Sequence, residues 1–161
     1  MKRILTTFIL TLLTLSLYAA AFAVTNENDV FIDRQELPDL VIEQMTVAPA
    51  NLQSGDYVQE VALTIRNRGV ASAPAGTVVG VSLMGRFNAD DISASYGHLS
   101  GSLQPDQREV VIIRATYLMN AGRNILYGKV DVMDSVRELN DDNNYGNTII
   151  EIERPPEGVP D

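Results

Sequence analysis

One stretch gathers most of the groups that could do chemistry. Asp131, Asp134, Glu138, Asp141, Asp142, Asn143 and Asn144 fall within 14 consecutive positions. Hard oxygen donors at this density suit Ca²⁺, which takes six to eight oxygens in flexible geometry. The spacing is not that of a helix–loop–helix calcium loop. Counted from Asn140, Asp142 and Asn144 fall at positions 3 and 5, but position 6 is Tyr145 where such a loop needs glycine. The alternative needs no ion. Asp and Asn side chains bond nearby backbone N–H groups and tolerate left-handed φ, so the run could lock a long connection by itself. The candidate metal ligands are Asp131, Asp134, Glu138, Asp141 and Asp142; Asn143 and Asn144, with Asn67 and Gly69 upstream, are candidate turn-locking residues.

Catalytic constellations find little material. The chain has one histidine, His98, and no cysteine. A zinc centre with three nitrogen or sulfur ligands is therefore excluded. A serine triad would have to use His98, and no Gly-x-Ser-x-Gly elbow occurs. A carboxylate pair for glycoside hydrolysis has 21 acids to choose from, but nothing singles one pair out. Sugar platforms favour Trp, and this chain has none; Tyr96, Tyr117, Tyr127 and Tyr145 could still line a patch. No catalytic or cofactor-binding residue is assigned.

The 161 residues carry a formal net charge of −9, which repels phosphate backbones and argues against nucleic acid as a partner. Met1-Lys2-Arg3 is a short positive start. Residues 4–23 are uncharged and close on Ala21-Phe22-Ala23. That order is a cleavable secretory signal over 1–23, the other reading being a retained membrane anchor. With no cysteine, neither lipidation nor a disulfide is available. An acidic leader (24–37) follows, and a Pro-rich tail (154–161) cannot continue a sheet.

Between them, short apolar runs alternate with turn residues. Strands are expected from Leu40 to Val47, around Val61-Leu63-Ile65, over Val78–Leu83, at Tyr96–Leu99, from Val110 to Tyr117, over Ile125–Val130 and over Thr148–Ile152. In the sixth, Leu126, Gly128 and Val130 should share one face and Ile125, Tyr127 and Lys129 the other. Asn67-Arg68-Gly69, Gly85, Leu103-Gln104-Pro105-Asp106 and Asn120-Ala121-Gly122 supply the turns. No stretch after the signal offers a good helical stripe; Met133–Asn140 has room for one or two helical turns at most. The polar insertion Arg86–Ser95, with Asn88-Ala89-Asp90-Asp91, is expected at a sheet edge. The fold class is all-β, a seven-stranded antiparallel immunoglobulin-like sandwich.

The chain resembles the CARDB family, a bacterial and archaeal cell-adhesion-related module. The resemblance rests on Pro38-Asp39-Leu40, on Asn67-Arg68-Gly69 followed by small residues, and on Leu103-Gln104-Pro105 leading into a long strand. It rests most on Val130-Asp131, Val136-Arg137-Glu138 and Asp141-Asp142-Asn143-Asn144. It covers 38–153, and it departs where Asp141 stands for a frequent Glu. It implies an immunoglobulin-like sandwich and an extracellular or envelope role, with no defined ligand. The expectation is an exported, non-catalytic binding or adhesion module, periplasmic or extracellular, recognising a protein or surface polymer through loops or a strand edge. Two further readings stay open: a calcium-stabilised module using 131–144, and a small extracytoplasmic hydrolase.

Overall fold

The computed structural model describes residues 36–87 and 93–154. Seven strands follow in order: β1 (Leu40–Ala48), β2 (Tyr57–Asn67), β3 (Val78–Ser82), β4 (Ala94–His98), β5 (Arg108–Leu118), β6 (Gly122–Val130) and β7 (Tyr145–Ile152). They form two antiparallel sheets, ordered β1-β2-β5 and β4-β3-β6-β7. This is the expected all-β, seven-stranded immunoglobulin-like sandwich. Among the described residues no helix is long and apolar enough to cross a membrane. The signal-like residues 1–23 lie outside the described residues, as do 24–35 of the leader and 155–161 of the tail.

Alternation builds the two layers. In β5, Val111, Ile113, Ala115 and Tyr117 are buried, while Arg108, Val110, Ile112, Arg114, Thr116 and Leu118 face outward. They meet Leu63 and Ile65 of β2, Val79 and Val81 of β3 and Leu126 and Val130 of β6 in one core. The hydroxyl of Tyr117 crosses that core and donates to the Val81 carbonyl at 2.7 Å, so the ring buries its one polar atom without penalty. Leu126 and Val130 do share the inner face of β6 with Gly128. A Cβ on Gly128 would come within 2.8 Å of the Leu63 side chain and 3.0 Å of Met45 sulfur. The glycine is what lets the two layers approach there.

Several strands start earlier than expected: β4 and β5 by two residues, β6 by three, at Gly122, and β7 at Tyr145, three residues before the apolar run. Pairing of Tyr145 with Lys129 carries the ladder past the hydrophobic signal. The Arg86–Ser95 insertion joins β3 to the edge strand β4; Asn88–Asp91 within it lie outside the described residues.

The helical expectation over Met133–Asn140 is overturned. That stretch is a bonded loop, and the only helical turn of the segment is a 3₁₀ turn, η1 (Asp141–Asn143), capped by the Asn140 side chain on Asp142 N–H at 3.1 Å. The physical reason lies in Asp131. Its carboxylate accepts from Ser135 N–H (3.1 Å), Ser135 Oγ (2.9 Å) and Val136 N–H (2.9 Å). Side-chain oxygens thus take the backbone donors of the first turn, and Asp131 and Asp134 sit at φ 49° and 48°, off the helical path.

The Asn67-x-Gly69 turn closes the end of the sandwich where β1 starts. Asn67 is fully buried. Its Oδ1 accepts from Asp39 N–H (3.1 Å) and Gly69 N–H (2.9 Å), and its Nδ2 donates to the carbonyls of Ala71 (2.7 Å) and Leu103 (2.9 Å). A Cβ on Gly69 would lie 2.3 Å from the Leu37 carbonyl oxygen, which is backbone and cannot yield. Asn67→Ala, which removes four hydrogen bonds, two of them buried, and Gly69→Ala are each expected to lower unfolding free energy by about 2–4 kcal/mol in urea titration, whereas Arg68→Ala should cost under about 1 kcal/mol.

Candidate functional site

The acidic segment runs from the end of β6 to the start of β7. Asp131 is buried and both its oxygens are occupied by the loop it closes, as above. Asp134 is exposed and pairs with Lys129 Nζ at 2.8 Å. Burial pulls the Lys129 ammonium down, but Asp134 and Tyr145 outweigh it and leave it raised. Glu138 is buried; its Oε1 accepts from Asn144 Nδ2 at 2.9 Å and its Oε2 accepts the Leu40 N–H. Burial pushes its carboxyl up to about 7, against the lowering effect of the Leu40 and Asn144 bonds, with Asp131 and Asp141 adding to the rise. Asp141 and Asp142 are exposed on η1. Asn143 Nδ2 donates to Asp39 Oδ1 at 2.8 Å, and the Asn144 carbonyl accepts from Val130 N–H at 2.9 Å.

The five candidate metal ligands are therefore not brought into one sphere. Asp131 faces its own loop, Asp134 faces Lys129, Glu138 faces β1, and Asp141 and Asp142 face solvent. Among the described residues no three His, Cys, Asp or Glu side chains are placed to hold a metal ion. What does converge is a hydrogen-bonded knot around Pro38-Asp39-Leu40. Glu138 holds Leu40, Asn143 holds Asp39, Leu139 N–H donates to the Pro38 carbonyl at 2.9 Å, and Asn67 holds Asp39 from the other side.

Of the other candidate groups, His98 and Tyr117 stand apart, while three tyrosines share one face. His98 ends β4 and is exposed. Tyr117 points into the core. Tyr96, Tyr145 and Lys129 lie on the outer face of the four-stranded sheet around Gly80: Tyr96 stands opposite Gly80 in register, and Gly80 opposite Lys129. Lys129 Nζ sits 5.3 Å from the centroid of the Tyr145 ring, which is 6.3 Å from that of Phe87. Tyr127 shares that face one rung along.

Two features of the other sheet were not singled out in the sequence. Between Ile42 and Gln44 the ladder of β1 slips by one residue, and the extra residue is Glu43. A bulge re-aims its side chain, and Glu43 meets Arg66 (3.0 Å), Arg108 (2.6 Å) and, more loosely, Arg68 (3.9 Å), with Asp106 on Arg66 at 2.9 Å. The Arg108 and Arg66 hydrogen bonds hold the Glu43 carboxyl below its ordinary range. Next along β5, Val110 and Ile112 are 56% and 61% exposed. The run Val110-Val111-Ile112-Ile113 reads as continuously apolar; only the sheet order shows that every second residue faces out. β5 is an edge strand, and beside its second half lies an open groove of about 750 Å³ lined by Leu83, Met84, Ser95, Arg114, Thr116 and Leu118.

Residues 37–148 match the CARDB family. The chain belongs to the CARDB family. Solved CARDB structures share the architecture. The CARDB domain of a Pyrococcus furiosus protein, determined in complex with di-metal ions, superposes with a TM-score of 0.53 at 22% identity, covering 73% of this chain and 96% of that one. A domain of a candidate cell surface protein from Methanosarcina acetivorans gives 0.55 at 20% identity, covering 76% and 97%. No curated protein matches. In this CARDB domain the residues that carried the resemblance, Pro38-Asp39-Leu40, Asn67-x-Gly69, Glu138 and Asn143-Asn144, are the ones that meet at the knot.

Glu138 makes the knot sensitive to pH. Burial pushes its carboxyl up to about 7 from the ordinary 4.5. A raised acid binds its proton more tightly when folded, so its contribution is fully present below about pH 4.5 and is lost as pH rises through 7. Between pH 5 and pH 8 unfolding free energy should fall by up to roughly 3 kcal/mol. Glu138→Gln should flatten that slope in denaturant titrations at each pH. Glu138→Ala, which strands the Leu40 N–H and the Asn144 amide, should cost about 2–4 kcal/mol at pH 5.

Proposed function

We propose that this CARDB domain is a non-catalytic recognition module of the cell envelope, exported under its signal-like first 23 residues. It takes a protein or surface polymer along the edge and outer face of β5. The observation that carries the reading is the exposure of Val110 and Ile112 on an 11-residue edge strand beside an open groove. Long apolar edges are usually shortened, charged or covered, because they template pairing with other chains; a strand that keeps one exposed suits binding by strand addition, where backbone bonds give affinity and alternate side chains give selectivity. The kinship of the fold with a domain of a candidate cell surface protein supports the location. The mature protein is expected to co-sediment with envelope fractions, and Ile112→Lys should reduce the bound fraction by about tenfold while leaving the thermal midpoint within a few degrees. Equal binding by the variant would move the contact elsewhere.

A second reading has a specific observation behind it. The Oδ1 atoms of Asn143 and Asn144 are buried and meet no donor among the described residues. Amide oxygens are acceptable Ca²⁺ ligands, and the Pyrococcus furiosus domain was determined with di-metal ions. Against it stands the bonding of Asp131 and Glu138, whose carboxylates already serve backbone N–H groups. The hydrogen-bonded reading expects melts of the mature chain in EGTA and in millimolar Ca²⁺ to coincide within about 1 °C; a rise of several degrees, the mass-action signature of a ligand of the native state, would favour the ion.

A further inference from the structure

β5 keeps a row of backbone groups without partners. At both of its ends an odd-numbered residue faces β2: the Gln107 carbonyl accepts from Asn67 N–H at 3.1 Å, and Met119 N–H donates to the Asp56 carbonyl at 2.9 Å. Backbone direction alternates along a strand, so the N–H and C=O groups of Val110, Ile112, Arg114, Thr116 and Leu118 point to the free edge of the sheet. Among the described residues no strand or loop bonds them there.

The seam beside that edge is closed along the first half of β5 and open along the second. β4 lies against the first half: a Cβ on Gly97 would come within 3.0 Å of the Val111 side chain and 3.1 Å of the Ile113 side chain. β4 has five residues against the eleven of β5, so beyond it the seam opens beside Arg114–Leu118 into the groove that Leu83 and Met84 also line. The charge at the groove is unbalanced. Arg108, at the far end of the strand, is held by Glu43 at 2.6 Å. Arg114 has Glu60 opposite in register, yet among the described residues it meets no carboxylate at ion-pair distance. It is a cation without a local acid in a chain of net charge −9.

We propose that the second half of β5 takes an extended, largely apolar peptide segment of a partner protein, with one carboxylate of that segment set beside Arg114. The backbone row favours a peptide over a sugar polymer: N–H and C=O groups in strand alternation are matched by another strand, whereas ring hydroxyls do not repeat at that spacing. The added strand would send alternate side chains inward, into the groove against Leu83 and Met84, which calls for apolar residues. Its outward side chains would stand beside Ile112, Arg114 and Thr116. A β-branched or aromatic residue suits the exposed Ile112, and an acid suits Arg114, because such cross-strand pairs are favourable.

This deepens the reading of β5 as the recognition strand and rests on it. Random linear peptides displayed on phage are selected on the protein and, in parallel, on Arg114→Glu. Selection on the protein is expected to enrich alternating apolar residues around one acid; selection on Arg114→Glu should exchange that acid for Lys or Arg. A synthetic peptide of the first consensus should bind Arg114→Glu about tenfold more weakly, and a Lys in place of its acid should restore the affinity. Bound to the protein, it should slow amide exchange at Ile112, Arg114, Thr116 and Leu118 by about tenfold, with the other edge strand β7 unchanged, as read by NMR. No enrichment, one consensus on both proteins, or protection that spares β5 each overturns the proposal. If no peptide is enriched while polygalacturonate binds the protein and Ile112→Lys abolishes that binding, the partner is a polymer: the inference falls and the reading of β5 stands. If Ile112→Lys retains full envelope binding, the reading of β5 falls and the inference falls with it.

Discussion

The start of β1 is the point on which the sandwich closes. Pro38, Asp39 and Leu40 enter the first sheet, yet their polar groups are held from two distant places: by Asn67 at the end of β2, and by Glu138, Leu139 and Asn143 in the connection between β6 and β7. Contacts between residues about a hundred positions apart make the largest entropic demand on a folding chain, and they are the ones spent here. β1 is an edge strand paired only to β2, and these bonds add direction to the packing that sets it against the four-stranded sheet. Buried Val41 and Leu40 supply area, which is non-directional; Glu138 and Asn67 supply direction.

A buried carboxylate is a costly way to do this. Ionised Glu138 has two donors but little water, and its carboxyl is displaced upward accordingly. Apolar residues of similar volume would often be as stable or more so. What they could not do is select one register. Glu138 is the acceptor placed for the Leu40 N–H, and slipping β1 by one residue would leave that donor unsatisfied and turn Leu40 toward solvent. The acidic segment thus finds its first use in closing the domain, with Asp131 performing the same service for its own loop.

The two sheets divide the remaining work. The outer face of the four-stranded sheet is partly self-covered: Phe87, Tyr96 and Val132 pack over Gly80, where any Cβ would meet all three within 3.2 Å. The outer face of β1-β2-β5 has no such cover among the described residues. It has instead an arginine group organised by one bulged glutamate and a pair of exposed β-branched residues at the sheet edge. That asymmetry, more than any single residue, is what supports β5 as the proposed recognition surface.

Much of the architecture was legible in the residues. Period-two alternation located the strands, and the inward set of β6 followed from Leu126, Gly128 and Val130 because side-chain direction in a strand depends only on neighbours in sequence. The Asn67-x-Gly69 turn and the acidic run were marked by type and spacing. The limits are equally physical. Met133–Asn140 left room for a helical turn because the competitor, a carboxylate four and five residues upstream taking the backbone donors, leaves no periodic trace. The carboxylates of 131–144 looked like one ligand set because proximity in sequence says nothing of direction; folding turned them four ways. The outward set of β5, Val110 and Ile112, was not legible, since an unbroken apolar run does not reveal which face is covered. Sequence alone determined the layers, the turns and the absence of a nitrogen or sulfur metal centre. Tertiary structure decided which polar groups meet and which apolar ones stay exposed, because those depend on strand order and on partners a hundred residues away.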